Sequence, residues 1–222
     1  MRAFIVVMAF SFFLLPALIG QTIDVSGHIA SNTTWSADTV HLTGDVIIDS
    51  SFVLTVSPGV YVEAQGYYAI YVKGTILAEG TQNDSIIFSV ADTTGFSNIS
   101  IYAGGWGGIR FDSTSSVNDT SRFKYCRIEF GKAIYEGGPY GEGSGGGMRI
   151  MNFSKVVINH CTICDNLCYG NGGGIICIHG SPVITENLFK NNYGMAHGGG
   201  ICTHYDSVRI TGNVFIHNLT DG

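Results

Sequence analysis

Gly145-Gly146-Gly147-Met148, Gly172-Gly173-Gly174-Ile175 and Gly198-Gly199-Gly200-Ile201 place Met148, Ile175 and Ile201 at separations of 27 and 26 residues. A second element keeps the same step: Ile163-Cys164-Asp165-Asn166, Phe189-Lys190-Asn191-Asn192 and Phe215-Ile216-His217-Asn218. A period in this range marks a stacked repeat array, because one such unit cannot bury its own apolar face. Working outward, Gly107-Gly108-Ile109-Arg110-Phe111-Asp112 opens an earlier coil of the same kind. Phe123 through Ile128 then aligns with Ile158 through Ile163, Ile184 through Phe189 and Ile210 through Phe215. Each coil thus holds at least two strands separated by tight bends. Coils stacked at the inter-strand spacing of about 4.8 Å build continuous parallel sheets, with equivalent residues one above another.

That stacking predicts columns. Ile109, Met148, Ile175 and Ile201 point inward, as do Ile163, Phe189 and Phe215. Asn166, Asn192 and Asn218 form a third column, whose amides bond from coil to coil and tolerate a left-handed bend. The glycine triplets mark places where the chain turns too sharply, or backbones come too close, for a β-carbon. They do not read as a phosphate cradle, because no helix follows them.

Upstream, short β-branched runs close on turn residues. Val53-Leu54-Thr55-Val56 ends at Ser57-Pro58-Gly59, and Ala69-Ile70-Tyr71-Val72 ends at Lys73-Gly74. Turns about 8–12 residues apart are an all-β signal, and no stretch reads as an amphipathic helix. The 222 residues suffice for one all-β domain without a second. Thirty-one glycines, four prolines and 13% charged residues argue against disorder and against a helical bundle. A net charge of −6 offers no basic footprint, so nucleic acid is not an expected partner.

Residues 1–20 read as a signal peptide. Arg2 is followed by an apolar run from Ala3 to Leu15, which Pro16 breaks ahead of Ala17-Leu18-Ile19-Gly20. The run is too short to span a membrane and lacks a stop-transfer flank. The mature chain, 21–222, is therefore expected to be secreted or displayed at the cell surface. Six cysteines in an exported chain invite a disulfide reading. Cys126 and Cys161, however, share a column with Asn187 and Asn213, which favours buried thiols over bridges. Cys161, Cys164 and Cys168 have metal-like spacing but no matching second pair, so no metal and no cofactor is expected.

These motifs carry a family resemblance. Leu54-Thr55-Val56 through Pro58-Gly59-Val60, Gly74 through Thr81, and Trp106-Gly107-Gly108-Ile109 resemble secreted right-handed parallel β-helix repeat proteins of the Bacteroidetes type. The Gly-Gly-Gly-Ile and Phe-x-x-Asn elements are similar to repeats of chlamydial polymorphic outer membrane proteins, which are adhesins and autotransporter passengers. The resemblance implies a right-handed parallel β-helix of the pectin-lyase-like fold, with further coils and a C-terminal sorting or membrane domain. Asn213 through Asn218 is a full repeat element, with Leu219 to Gly222 after it. A solenoid ending there leaves an uncapped edge. Truncation of a longer protein is the favoured explanation, over an oligomer that covers the end or a missing C-terminal domain.

No catalytic constellation is legible. Glycosidases need two carboxylates at defined separation, and lyases a base beside a uronate. The outward columns instead read Arg110, Arg149, Ile176, Cys202 and Asp112, Met151, Ile178, His204. Glu129, Glu186 and Asp206 read as solvated surface charges, and His179, His197 and His204 as surface histidines. The apolar Ile176, Ile178 and Met151 imply cover by a loop or partner. The long insertion from Tyr135 to Ser144 is placed to lean Tyr135 and Tyr140 over Arg110 and Arg149, an arrangement suited to sugar binding. These four residues are the expected ligand contacts. The expected function is a non-catalytic, adhesin-like scaffold that binds a polysaccharide, a cell-surface glycan or a partner. The alternative is a polysaccharide lyase or glycoside hydrolase whose catalytic coils lie beyond residue 222.

Overall fold

Short β-branched runs between sharp corners fold here into stacked coils, with every strand pairing parallel. The structure, a computed structural model, describes residues 20–112, 114–134, 143–205 and 207–221. Among these are 24 strands and no helix. They form a 13-stranded, a 7-stranded and a 4-stranded sheet, wound as a right-handed parallel β-helix. The largest sheet covers two faces. It turns between them through Thr39–Ile48, a single ten-residue strand that pairs at one end with Tyr61–Ala64 and at the other with Ala69–Val72.

The register follows the sequence columns. Ile109 lies beside Met148, Met148 beside Ile175, and Ile175 beside Ile201. Phe123, Ile158, Ile184 and Ile210 align in the 7-stranded sheet. Each repeat coil also contains a fourth, two-residue strand that the sequence reading passed over: Lys132–Ala133, Leu167–Cys168, Tyr193–Gly194 and Leu219–Thr220. Inside, Phe111 stacks on Phe153 at 5.8 Å and meets Phe123 edge-on at 6.3 Å. Phe189 stacks on Phe215 at 4.9 Å, although Phe215 is 50% exposed in the last coil.

Two side-chain ladders hold the corners. Asn192 Oδ1 accepts from the Asn166 backbone N–H at 3.2 Å and from Asn166 Nδ2 at 2.9 Å. Asn192 Nδ2 donates to Ile163 O and to Asn218 Oδ1, each at 2.8 Å. The second ladder begins with a thiol: the Cys126 N–H meets Cys161 Sγ at 3.4 Å, and the Cys161 N–H donates to Asn187 Oδ1 at 2.8 Å. None of the six cysteines forms a disulfide.

The bend at these corners does not fall on the ladder asparagines Asn166, Asn192 and Asn218, where the sequence pattern puts it. It falls one residue earlier, at Asp165, Asn191 and His217 with φ of 54°, 54° and 51°, and at His160 and Glu186 with 53° and 57°. The asparagine aims its amide inward, so the preceding residue makes the turn and faces solvent. A left-handed residue bearing a β-carbon costs about 1–2 kcal/mol, and the fully used amides offset that cost. In the glycine triplets both expected causes operate, at different positions. Gly145, Gly172 and Gly198 have φ of 70°, 69° and 63°. A β-carbon on Gly146 or Gly173 would instead stand 2.5 Å from a carbonyl oxygen of the next coil.

Candidate functional site

Strand alternation sends every second residue outward, and register stacks those residues along the axis. On one face of the largest sheet the outward column runs Ile47, Tyr71, Arg110, Arg149, Ile176, Cys202. Arg110 and Arg149 are thus neighbours, as their sequence positions implied. Arg110 is almost wholly buried, and its Nη1 donates to the Gly145 carbonyl. Arg149 Nε donates to both carboxylate oxygens of Asp112, at 3.0 and 3.1 Å, and Nη2 adds a further bond. Such a two-armed pairing fixes the guanidinium plane. Burial, and then the charge of Arg149, bring the Arg110 guanidinium down to about 10, so Arg110 remains cationic at neutral pH.

A cavity of about 330 Å³ opens over this pair, lined also by Asp45, Tyr67, Tyr71 and Tyr102. Asp45 is held by the Ala69 N–H at 2.9 Å. The Tyr71 phenol is pushed up by burial and by Asp45, against the pull of both arginines, so it stands as a neutral hydroxyl. Tyr67 and Tyr102 pack at 4.6 Å between centroids, tilted by 59°. Tyr135 and Tyr140 lie outside the described residues. The chain on either side of them, at Ile134 and Gly143, lines the same cavity. The aromatic component expected from those two tyrosines is supplied, among the described residues, by Tyr67, Tyr71 and Tyr102.

Lys132 secures one wall. It is fully buried, with Nζ donating to Ala103 O at 2.8 Å and Gly95 O at 3.2 Å, and lies 5.8 Å over the Phe96 ring. Tyr67 Oη donates to the Lys132 carbonyl at 2.9 Å. Burial pushes the ammonium pKa down. The lysine thereby ties the excursion that carries Tyr102 to the coil beneath it. Lys132→Met is expected to release that excursion and speed protease cleavage between Gly95 and Ala103 about tenfold, with the rest of the chain resistant. Limited proteolysis with mass mapping checks this.

Ile176 and Ile178 are buried rather than exposed, so the apolar outward patch is covered. A β-carbon on Gly145 would stand 2.6 Å from Ile176 Cγ2, which places the glycine corner of the preceding coil over that side chain.

The other face of the large sheet presents a polar column of Asp24, His41, Glu63 and Ser89. The next strand's Glu129 accepts from Ser89 Oγ at 3.1 Å. Glu129 is therefore not the solvated charge expected from sequence: its side chain is 12% exposed and also pairs with Arg127. Glu186 is 59% exposed and matches that expectation, while Asp206 lies outside the described residues. Glu129, Cys164 and Asp165 bring their ligand atoms within 4.8 Å of one another. Arg127 and Ser89 occupy Glu129, Asn191 Nδ2 occupies Asp165 at 3.0 Å, and burial pushes the Cys164 thiol up. Those bonds account for the cluster as a polar ladder.

A parallel β-helix with a polar, tyrosine-lined cavity on an outer sheet face is the class this geometry defines. The family of pectate-lyase-like beta helix domains matches residues 27–189, and the chain belongs to it. No curated protein and no solved structure matched the chain.

Proposed function

We propose that this chain is an exported β-helix scaffold that holds a glycan, without cleaving it, in the cavity over Arg110 and Arg149. The observation that carries this reading is the lining itself: three tyrosines beside two oriented guanidinium groups in about 330 Å³. Tyrosine rings stack on the apolar face of a pyranose while their hydroxyls reach sugar oxygens. An arginine fork pairs with a carboxylate or with vicinal hydroxyls. The carboxylates beside the cavity are committed elsewhere, Asp112 to Arg149 and Asp45 to the Ala69 N–H, which disfavours their use as acid and base. In this reading residues 1–20 serve as a signal peptide, and the site faces the outside of the cell. Tyr135 and Tyr140, from the connection between Ile134 and Gly143, complete the ligand contacts in this reading. An adhesin-like role at the surface follows from a repeat scaffold that offers one face to a polymer.

Affinity electrophoresis through a panel of neutral and acidic polysaccharides tests this. Retardation by at least one polysaccharide, weakened about tenfold in a Tyr102→Ala/Arg149→Gln double variant of unchanged far-ultraviolet circular dichroism, is the expected result. Equal retardation of that variant would refute the site. New reducing ends or unsaturated uronates in the same incubations would instead establish a hydrolase or lyase.

A further inference from the structure

The cavity over the arginines has a neighbour that shares its aromatic wall. This second cavity, of about 260 Å³, lies between the bend at Gln65 and Gly66 and the excursion that carries Tyr102, with Val90 and Asp92 completing it. Tyr67 and Tyr102 line both cavities and so stand between them as a ridge. Their rings are tilted by 59° and present faces in different directions, which suits a sugar ring on either side.

The ridge is held in place by the coil beneath it. Tyr67 Oη donates to the Lys132 carbonyl at 2.9 Å, and Lys132 Nζ donates to the carbonyl of Ala103, next to Tyr102. Tight turns fix the rest of that wall: the Asn98 N–H donates to Gly95 O at 3.1 Å and the Ile101 N–H to Asn98 O at 3.3 Å. Buried Val90 gives the second cavity an apolar floor. Walls held in this way lower the ordering cost of binding.

The two cavities differ in charge. The first has Arg110 and Arg149 on its wall. The second has neither lysine nor arginine among its described lining residues, and it has Asp92. Asp92 Oδ1 accepts from the Thr94 N–H at 2.8 Å. Bonds from the Thr94 side chain and backbone hold that carboxyl below the usual range, so it is ionised at neutral pH. Gln65 Nε2 in turn donates to Glu63 Oε2 at 2.6 Å, which brings a second carboxylate behind the cavity. A carboxylate accepts from a sugar hydroxyl or an amide N–H but repels an acidic sugar.

We propose that the second cavity is an adjoining subsite for the same sugar chain, which carries an acidic sugar over Arg110 and Arg149 and a neutral one beside Asp92. The inference rests on the glycan reading above and adds the class of polymer: a heteropolysaccharide of acidic and neutral units. Asp92 excludes a chain that is acidic at every unit, and a wholly neutral chain gains nothing from the charge of the arginines.

Affinity electrophoresis of the full chain against four polymers tests this. Hyaluronan and gellan mix acidic with neutral sugars, polygalacturonate is acidic throughout, and dextran is neutral. Hyaluronan or gellan is expected to retard the parent about tenfold more strongly than polygalacturonate or dextran. Asp92→Lys replaces a repelling charge with an attracting one, and should bring polygalacturonate within about twofold of the better mixed polymer. Asp92→Asn, which keeps an acceptor for the Thr94 N–H, should give an intermediate ratio. Polygalacturonate or dextran matching both mixed polymers on the parent would overturn the second subsite. So would an unchanged ratio in Asp92→Lys and Asp92→Asn of matching circular dichroism. In either case the first cavity stands if Tyr102→Ala/Arg149→Gln still weakens retention. No retardation by any of the four polymers, or retention indifferent to that double variant, overturns both.

Discussion

Asn192→Ala is expected to lose about 4 kcal/mol of folding stability. Asn192 is fully buried and uses its whole amide: two bonds accepted from Asn166 and two donated, to Ile163 O and Asn218 Oδ1. Truncation leaves the Asn166 N–H and the Ile163 carbonyl without these partners in a place water does not reach. It also removes what holds Asp165 and Asn191 in their left-handed turns. Urea unfolding followed by circular dichroism measures the loss. Asn192→Asp separates hydrogen bonding from shape. Its carboxylate keeps the acceptors, loses both donors when ionised, and must be buried next to a carbonyl. Burial raises its folded-state pKa above the unfolded value, so this variant is the more stable below the unfolded pKa. That stability falls away as pH rises through the window between the two values. Asn192→Asp should therefore unfold at lower urea at pH 7 than at pH 4, relative to the parent at each pH. Equal displacement at both would show that the amide donors carry little weight.

Gly173→Ala is expected to be nearly as damaging, about 3 kcal/mol or more, for a different reason. Its φ is not left-handed. An added β-carbon would stand 2.5 Å from Gly199 O, 2.5 Å from Tyr193 C and 2.6 Å from Tyr193 O, all backbone atoms that no side-chain rotation can clear. Two coils would have to separate. Gly27 provides the contrast, with φ of 80° and nothing within 4 Å of the same added atom. Gly27→Ala should cost only the conformational penalty of about 1–2 kcal/mol. Comparable losses at both positions would mean that close approach between coils is not what the triplets serve.

The coil architecture was legible in the sequence because a parallel stack repeats its inward residues at a constant step. Met148, Ile175 and Ile201 declare the register, and the structure keeps it. The corners were harder to read. The left-handed positions are filled by Tyr125, His160, Glu186 and Asp165, which face solvent and share no side-chain type. Their conformation is imposed by the ladder residue that follows, so a residue-type signal for a turn is missing. The neighbouring arginines were also legible, since Arg110 and Arg149 each follow an inward column residue. Tyr71 follows Ile70 in the same way, but the excursion before Trp106 sets Ile109 at a separation of 39 residues from Ile70 and hides the register. Tyr67 and Tyr102 meet only through that excursion. Lys132 gives no sequence sign of burial, because its partners are backbone carbonyls rather than carboxylates.

The resulting picture has a rigid stack with chemistry on its outer faces. The ladders and glycine corners fix the coil spacing, and that spacing sets the distance between Arg110 and Arg149. Lys132 then closes the wall that bears Tyr102. A loss of ladder order should therefore reach the cavity, although no ladder residue lines it.

The central claim is that this cavity is where a glycan sits. A crystal structure of the chain soaked with an oligosaccharide from the polysaccharide that retards it most tests the claim directly. The account predicts a sugar ring against Tyr67 or Tyr102 with its polar edge toward Arg149. Ordered sugar elsewhere, for instance along the His41, Glu63 and Glu129 column, with the cavity holding only solvent, would contradict it.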